Sequence, residues 1–243
     1  MRFAAVVWAL MLSVAGNATA GTVTVVADRD ATLIEHPDGA LASGAGPSVF
    51  AGRNNLADNG VRRALLRFDL AVAGSPRGGP FIVEKVALVV TNLTESNTVP
   101  REYRLHRLLA DWGEGASVNA GGGGAPAEPG DATWVHTFHN RDFWLHNGGQ
   151  FEGEPSARLV VAGPGTYRFE SPQLARDVAL WATRPELNFG WILIGDETSR
   201  QTARAFGSRE NPDPAVRPVL EITSRRPLNS GASVPGRGDL AIP

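Results

Sequence analysis

Residues 189–223 read FGWILIGDETSRQTARAFGSRENPDPAVRPVLEIT. Three short apolar runs are separated here by polar turns, and the last closes around Arg217, Pro218 and Leu220. Short apolar runs bounded by Gly, Pro, Asp and Asn are the signature of strands. A C-terminal segment of this kind completes the two sheets of an antiparallel β-sandwich.

Upstream, the same grammar repeats. The clearest strand covers residues 63–70, where Ala64, Leu66, Phe68 and Leu70 alternate with Arg63, Leu65, Arg67 and Asp69. That period of two leaves one mostly polar face. Residues 82–91 place Ile82, Val86, Leu88 and Val90 on one face, interrupted by Glu84. In residues 102–109, Tyr103 and Leu105 alternate with Arg104 and His106. Further strands are expected at 23–27, 31–34, 48–52, 133–138, 157–162 and 166–170. The segment 54–60 ends in Asp58-Asn59-Gly60, a turn signal. Throughout, 28 glycines and 17 prolines cut the apolar runs short, which favours strands and turns over helices.

One helix is expected, at residues 171–183. Ser171 can cap it, Pro172 suits its first position, Leu174, Val178 and Trp181 share a face, and Pro185 stops it. No strand–helix–strand alternation occurs, so a parallel sheet is not expected. Residues 116–131, with four glycines at 121–124, read as a flexible loop; neither Lys-Ser nor Lys-Thr follows to make it a phosphate cradle. The fold expected is therefore all-β: an antiparallel β-sandwich, jelly-roll-like, with one short helix near 171–183.

The ends of the chain bear on compartment. Residues 1–20 carry Arg2, an apolar run from Phe3 to Ala15, and Ala18-Thr19-Ala20, the pattern of a signal peptide. The run is shorter than the ~20 residues of a membrane span. Export is expected, with residues 21–225 as the β-sandwich domain and the Pro-, Gly- and Ser-rich residues 226–243 as a disordered C-terminal tail. The compartment is then secreted, extracellular or periplasmic, in a bacterium. Without Arg2 the charge is 22 basic against 25 acidic residues, or −3, which is no footprint for nucleic acid. There is no cysteine, so neither disulfides nor thiol chemistry contribute.

Aromatic residues supply the first candidate site. Flat rings contact the apolar faces of sugars while polar neighbours meet the hydroxyls. Trp112, Trp134 and Trp144, with Tyr103, could form such a carbohydrate-binding platform; the alternative is that they pack beneath the glycine-rich loop. Trp181 and Trp191 read as core. Carboxylates supply the second candidate. Asp28 and Asp30 open the domain, and Glu210 and Asp213 lie near its end. First and last strands of a sandwich are often neighbours, so Asp28, Asp30 and Glu210 could share a calcium ion, which takes six to eight oxygens. Their alternative is a solvated turn.

Other patterns say less. His136, His139 and His146 cluster, but on a strand His136 and His139 would point to opposite faces, and no HExxH pattern occurs. No GxSxG elbow is present. Glu197 and Glu210 could be imagined as a glycosidase pair, although Arg209-Glu210 reads more simply as a local ion pair. Arg237-Gly238-Asp239 is ascribed to chance in a chain rich in Arg and Gly, and the sequon Asn92-Leu93-Thr94 carries little meaning in a bacterium.

Several motifs now fall in order: Asp28-Arg29-Asp30-Ala31-Thr32, then Arg63-Ala64-Leu65-Leu66-Arg67-Phe68-Asp69, then Asp111-Trp112-Gly113-Glu114-Gly115. Gly130-Asp131-Ala132-Thr133-Trp134 leads to Trp144 and Gly148-Gly149. Asn188-Phe189-Gly190-Trp191, Phe206-Gly207-Ser208-Arg209-Glu210 and Arg217-Pro218-Val219-Leu220 end the series. In this the chain resembles secreted bacterial DNRLRE-domain proteins, related to disaggregatase-type repeats and to carbohydrate-binding β-sandwich modules beside polysaccharide lyases. The hexapeptide that names them does not occur, and Gln150 stands where an aspartate is usual. The resemblance implies a jelly-roll-like sandwich, secretion and glycan binding; it does not imply catalysis.

The function expected is thus that of a secreted, non-catalytic module whose partner is a polysaccharide. A structural or adhesive cell-surface or matrix protein that binds other proteins is the alternative, and a stand-alone hydrolase or lyase a third.

Overall fold

A computed structural model describes residues 20–71, 82–119 and 121–225. Residues 1–19 of the expected signal peptide and residues 226–243 of the expected C-terminal tail lie outside the described residues. The strands are, in chain order, β1 (Ala20–Val26), β2 (Arg29–Ile34), β3 (Leu41–Ser43), β4 (Ser48–Arg53), β5 (Val61–Arg67), β6 (Ile82–Asn92) and β7 (Arg101–Arg107). After them come β8 (Ala125–Pro126), β9 (His136–Phe138), β10 (Asp142–Phe143), β11 (Ala157–Val161) and β12 (Gly165–Glu170). Helix α1 (Pro172–Thr183) precedes β13 (Trp191–Ile194), β14 (Arg204–Gly207) and β15 (Val219–Arg225). The quoted C-terminal stretch does fold as three strands.

The protein is an antiparallel β-sandwich. One sheet runs β1-β15-β6-β12, with β14 joined to the end of β6 through Phe206↔Asn92 and β4 beyond it. The other runs β3-β2-β5-β13-β7-β11, with β8 on β3. First and last strands pair, Val25 opposite Leu220 and Val23 opposite Ile222. Strand β4 belongs to both sheets: its first four residues pair with β14, while Gly52 and Arg53 pair with β5. Gly52 makes that corner at φ 114°, and a Cβ there would lie 2.7 Å from the Thr202 carbonyl oxygen. Glycine is required where a strand bends this tightly against another backbone.

Between the sheets lies a core of inward residues, among them Val25, Leu66, Phe68, Leu88, Tyr103, Leu105, Phe169, Trp191, Phe206 and Leu220. Helix α1 adds Leu174, Val178 and Trp181 to it. Ser171 caps the helix by accepting from the Leu174 N–H at 3.0 Å. The buried Asp177 fastens it to the sheet, accepting from Trp191 Nε1 at 2.9 Å, Ser156 Oγ at 2.5 Å and Gln173 Nε2 at 2.9 Å. A buried carboxylate is tolerable only when so provided with donors.

A second core lies on the outer face of the β2-β5-β13-β7 sheet. Because successive side chains alternate, Leu33, Leu65, Ile192 and Ile194 turn away from the inter-sheet core, and the excursion between β7 and β11 covers them with Trp112, Ala132 and Trp144. This layer corrects one expectation, since Leu65 does not sit on a solvent face. The described residues of the 116–131 loop carry only the two-residue β8 and are anchored at particular points. Asp131 is fully buried and accepts from the N–H groups of Ser117 and Glu128, and Gly122 lies against the ring of Phe50. The strand expected at 133–138 is confined to β9, because Thr133 instead caps a turn, accepting from the His136 N–H at 2.9 Å.

Candidate functional site

Three of the four aromatic residues of the expected platform are buried. Tyr103 is buried between the sheets, its hydroxyl donating to the Thr202 carbonyl at 2.9 Å and its ring edge-on to Phe206 at 5.6 Å. Trp112 and Trp144 are buried in the second core, and their Nε1–H groups donate to the carbonyls of Phe189 at 2.8 Å and Thr133 at 2.9 Å. Trp134 packs on the same cluster and stays half-buried. The structure thus brings the three tryptophans together, but as the covering of an apolar sheet face. Rings whose polar handles are already satisfied by backbone serve packing.

Beside them lies an open cleft of about 360 Å³. Leu109, Leu145 and Phe151 give it apolar surface, and His146, Asn147 and Gln150 bring polar groups to the same space. Arg63 is fixed in its wall. Its guanidinium lies 4.8 Å from the Trp134 ring and 5.6 Å from that of Phe151, and it donates to both Glu197 carboxylate oxygens and to the Gly148 carbonyl. Gly148, at φ 87°, lets the chain pass over these groups: a Cβ would sit 2.7 Å from Arg63 Nη1 and 2.8 Å from the Trp134 ring. Leu145 is 71 % exposed and neighbouring Phe143 68 % exposed, against the usual burial of large apolar residues. Arg63 had looked like one more residue of a polar strand face; its roles in the cleft wall are long-range and leave no local signal.

The carboxylates divide. Asp28, just before β2, pairs with Arg67 of β5, and among the described residues it is not one of the clustered carboxylates. Asp30 and Glu210 do meet, and Glu114 joins them, with one oxygen of each within 4.8 Å of the others. Period two explains Asp30. Ala31 and Leu33 face the outer core, so Asp30 turns inward beside its ladder partner Leu66 and is fully buried. Glu114 comes from the turn after β7, where Gly44 allows close approach: a Cβ on Gly44 would strike the Glu114 carbonyl oxygen at 1.6 Å. Glu210 follows β14.

Hydrogen bonds define what each carboxylate still offers. Glu114 accepts from Asp30 N at 2.8 Å and, through both oxygens, from the Arg209 guanidinium at 2.7 and 2.8 Å. Glu210 accepts from Arg209 Nε at 2.7 Å, the local ion pair expected from sequence. Asp30 Oδ1 and Glu210 Oε2 are buried with no donor. Burial pushes the Asp30 carboxyl well above the usual carboxylate range, opposed by the Arg209 N–H and reinforced by the charges of Glu210 and Glu114. Burial likewise raises Glu210, with the Glu114 charge adding to it.

The remaining expectations resolve simply. His136 and His139 are not on opposite faces: their rings meet at 5.0 Å, His136 Nδ1 bonding Thr133 Oγ1 and His139 Nδ1 the Glu128 carbonyl. Glu197 is held by Arg63, so it does not pair with Glu210. Asp213 caps a 3₁₀ turn by accepting from the Ala215 N–H. Among the described residues no helix is long and apolar enough to cross a membrane. No protein-family model matches the chain, and no curated protein matches it in sequence.

Proposed function

We propose that the chain is an exported, non-catalytic β-sandwich module that binds a polysaccharide in the cleft formed by Leu109, Leu145, Phe151, His146, Asn147 and Gln150. The observation that carries this reading is the cleft's mixture of exposed apolar side chains and polar groups beside the fixed Arg63. A sugar offers the matching surfaces: C–H faces for Phe151 and Leu145, hydroxyls for His146, Asn147 and Gln150. Among the described residues none that lines the cleft is a carboxylate, which favours binding over glycoside hydrolysis. The resemblance to DNRLRE-domain proteins points the same way. This replaces the tryptophan platform as the place of binding, while Trp134 keeps a part as the ring behind Arg63.

A second reading is a structural or adhesive role toward other proteins. The exposed Phe143 and the edge strand β1, with Val23 and Val26 exposed, favour it. A glycan array probed with the full-length chain separates the two. Retention of a glycan class that is lost in Phe151→Ala supports the module. A folded protein that binds no glycan and self-associates supports adhesion.

A further inference from the structure

The three carboxylates at the end of the sandwich have no role in the cleft, and their geometry is costly unless something else is bound. Three carboxylates face one guanidinium, so the ionised cluster carries a formal charge of 1 − 3 = −2. Two of its oxygens, Asp30 Oδ1 and Glu210 Oε2, are buried without a donor. Asp30 is fully buried, and a buried acceptor left unpaired is destabilising. A carboxylate has about four lone-pair positions, and Glu114 has three occupied by Asp30 and Arg209. Each of the three residues therefore retains a free acceptor position, and one oxygen of each lies within 4.8 Å of the others.

We propose that Asp30, Glu114 and Glu210 together bind one calcium ion, tying β2, the 111–115 turn and the turn after β14 to one another. Hard oxygen donors of net negative charge, with no nitrogen or sulfur among them, match calcium's preference. The surrounding groups fix the ligands in place. Arg209 orients both Glu114 and Glu210 and, through its N–H, Asp30. The site joins Asp30, the second residue of β2, to Glu210, 180 positions later, so the ion acts as a clasp. It does so whether or not the cleft binds a glycan.

The competing arrangement is metal-free, with Asp30 and Glu210, which lie within hydrogen-bonding reach of each other, sharing a proton. The test uses the full chain, stripped with EDTA and desalted, then titrated with CaCl2 by calorimetry and melted with and without calcium. One equivalent of binding is expected. At a hundredfold excess over Kd the melting temperature should rise by roughly 5–10 °C. Glu210→Gln should weaken calcium binding at least tenfold while melting in EDTA no lower than wild type. Terbium emission sensitised by tryptophan, with Trp112 two positions from Glu114, gives a readout on the unmutated protein. Identical melting in calcium and EDTA, with no heat and no terbium emission, would overturn the clasp and leave the shared proton.

Discussion

The main-chain N–H of Arg209 donates to Oδ2 of Asp30 at 2.6 Å, joining the start of the second strand to the turn after the fourteenth. The same arginine's side chain holds Glu114 and Glu210. One residue thus organises three segments distant in sequence, and the charges it gathers exceed the one it supplies. Substitutions here should therefore respond in opposite directions with and without a cation.

Asp30→Asn retains an acceptor for the Arg209 N–H and removes one negative charge from the cluster. In EDTA the variant should melt at or above the wild-type temperature. In calcium the order should reverse, because the wild type gains stability and the variant does not. Differential scanning fluorimetry in the two conditions checks the crossover.

Asp177→Ala strips Trp191 Nε1, Ser156 Oγ and Gln173 Nε2 of their common acceptor. A cost of about 3–4 kcal/mol is expected for breaking a buried network of this kind. That corresponds to a fall of roughly 6–16 °C in Tm. Thermal melts followed by circular dichroism report it directly.

Trp144→Ala and Trp112→Ala should each cost about 3–5 kcal/mol, because both rings are buried. Trp134→Ala should cost less, its ring being half-buried. Urea denaturation gives the order. Equal, small losses for all three would mean that the rings are solvent-facing after all.

The sequence carried the sandwich because alternation survives in single strands: Ala64, Leu66 and Phe68 announce their face whatever lies opposite. It carried helix α1 because Ser171 and Pro172 are local signals. The outer layer was hidden. Leu65 between two arginines reads as an incidental apolar residue until Trp112 and Trp144, far along the chain, cover it. Of the carboxylate cluster, Asp30 and Glu210 were expected together because the two ends of the domain meet, although they lie on β2 and after β14 and not on the paired β1 and β15. Glu114 was not, since its place depends on a glycine contact across seventy residues. The ion pair of Asp28 with Arg67 was not legible, because it depends on how the segment before β2 meets β5.

Asp196 sets an acid limit. Burial works against its charge, but the N–H groups of Ser199 and Thr198 and the Thr198 hydroxyl outweigh this and hold its carboxyl at about 2. Arg101 also pairs with it at 2.9 Å. A carboxyl lowered in the folded state stabilises above its unfolded value near 3.8 and loses that contribution as pH falls toward 2. Partial exposure limits the effect to about 1 kcal/mol. Asp196→Asn should lower wild-type stability at pH 6 and make little difference at pH 2, as measured by urea denaturation.

Glycan binding in the cleft beside Arg63 depends on Phe151. The most direct measurement is the equilibrium affinity of the strongest array glycan for wild type, Phe151→Ala and the distant surface variant Val160→Ala. About a tenfold loss is expected for Phe151→Ala, equivalent to about 1.4 kcal/mol, with Val160→Ala unchanged. Equal affinities across all three would contradict the assignment of binding to this cleft.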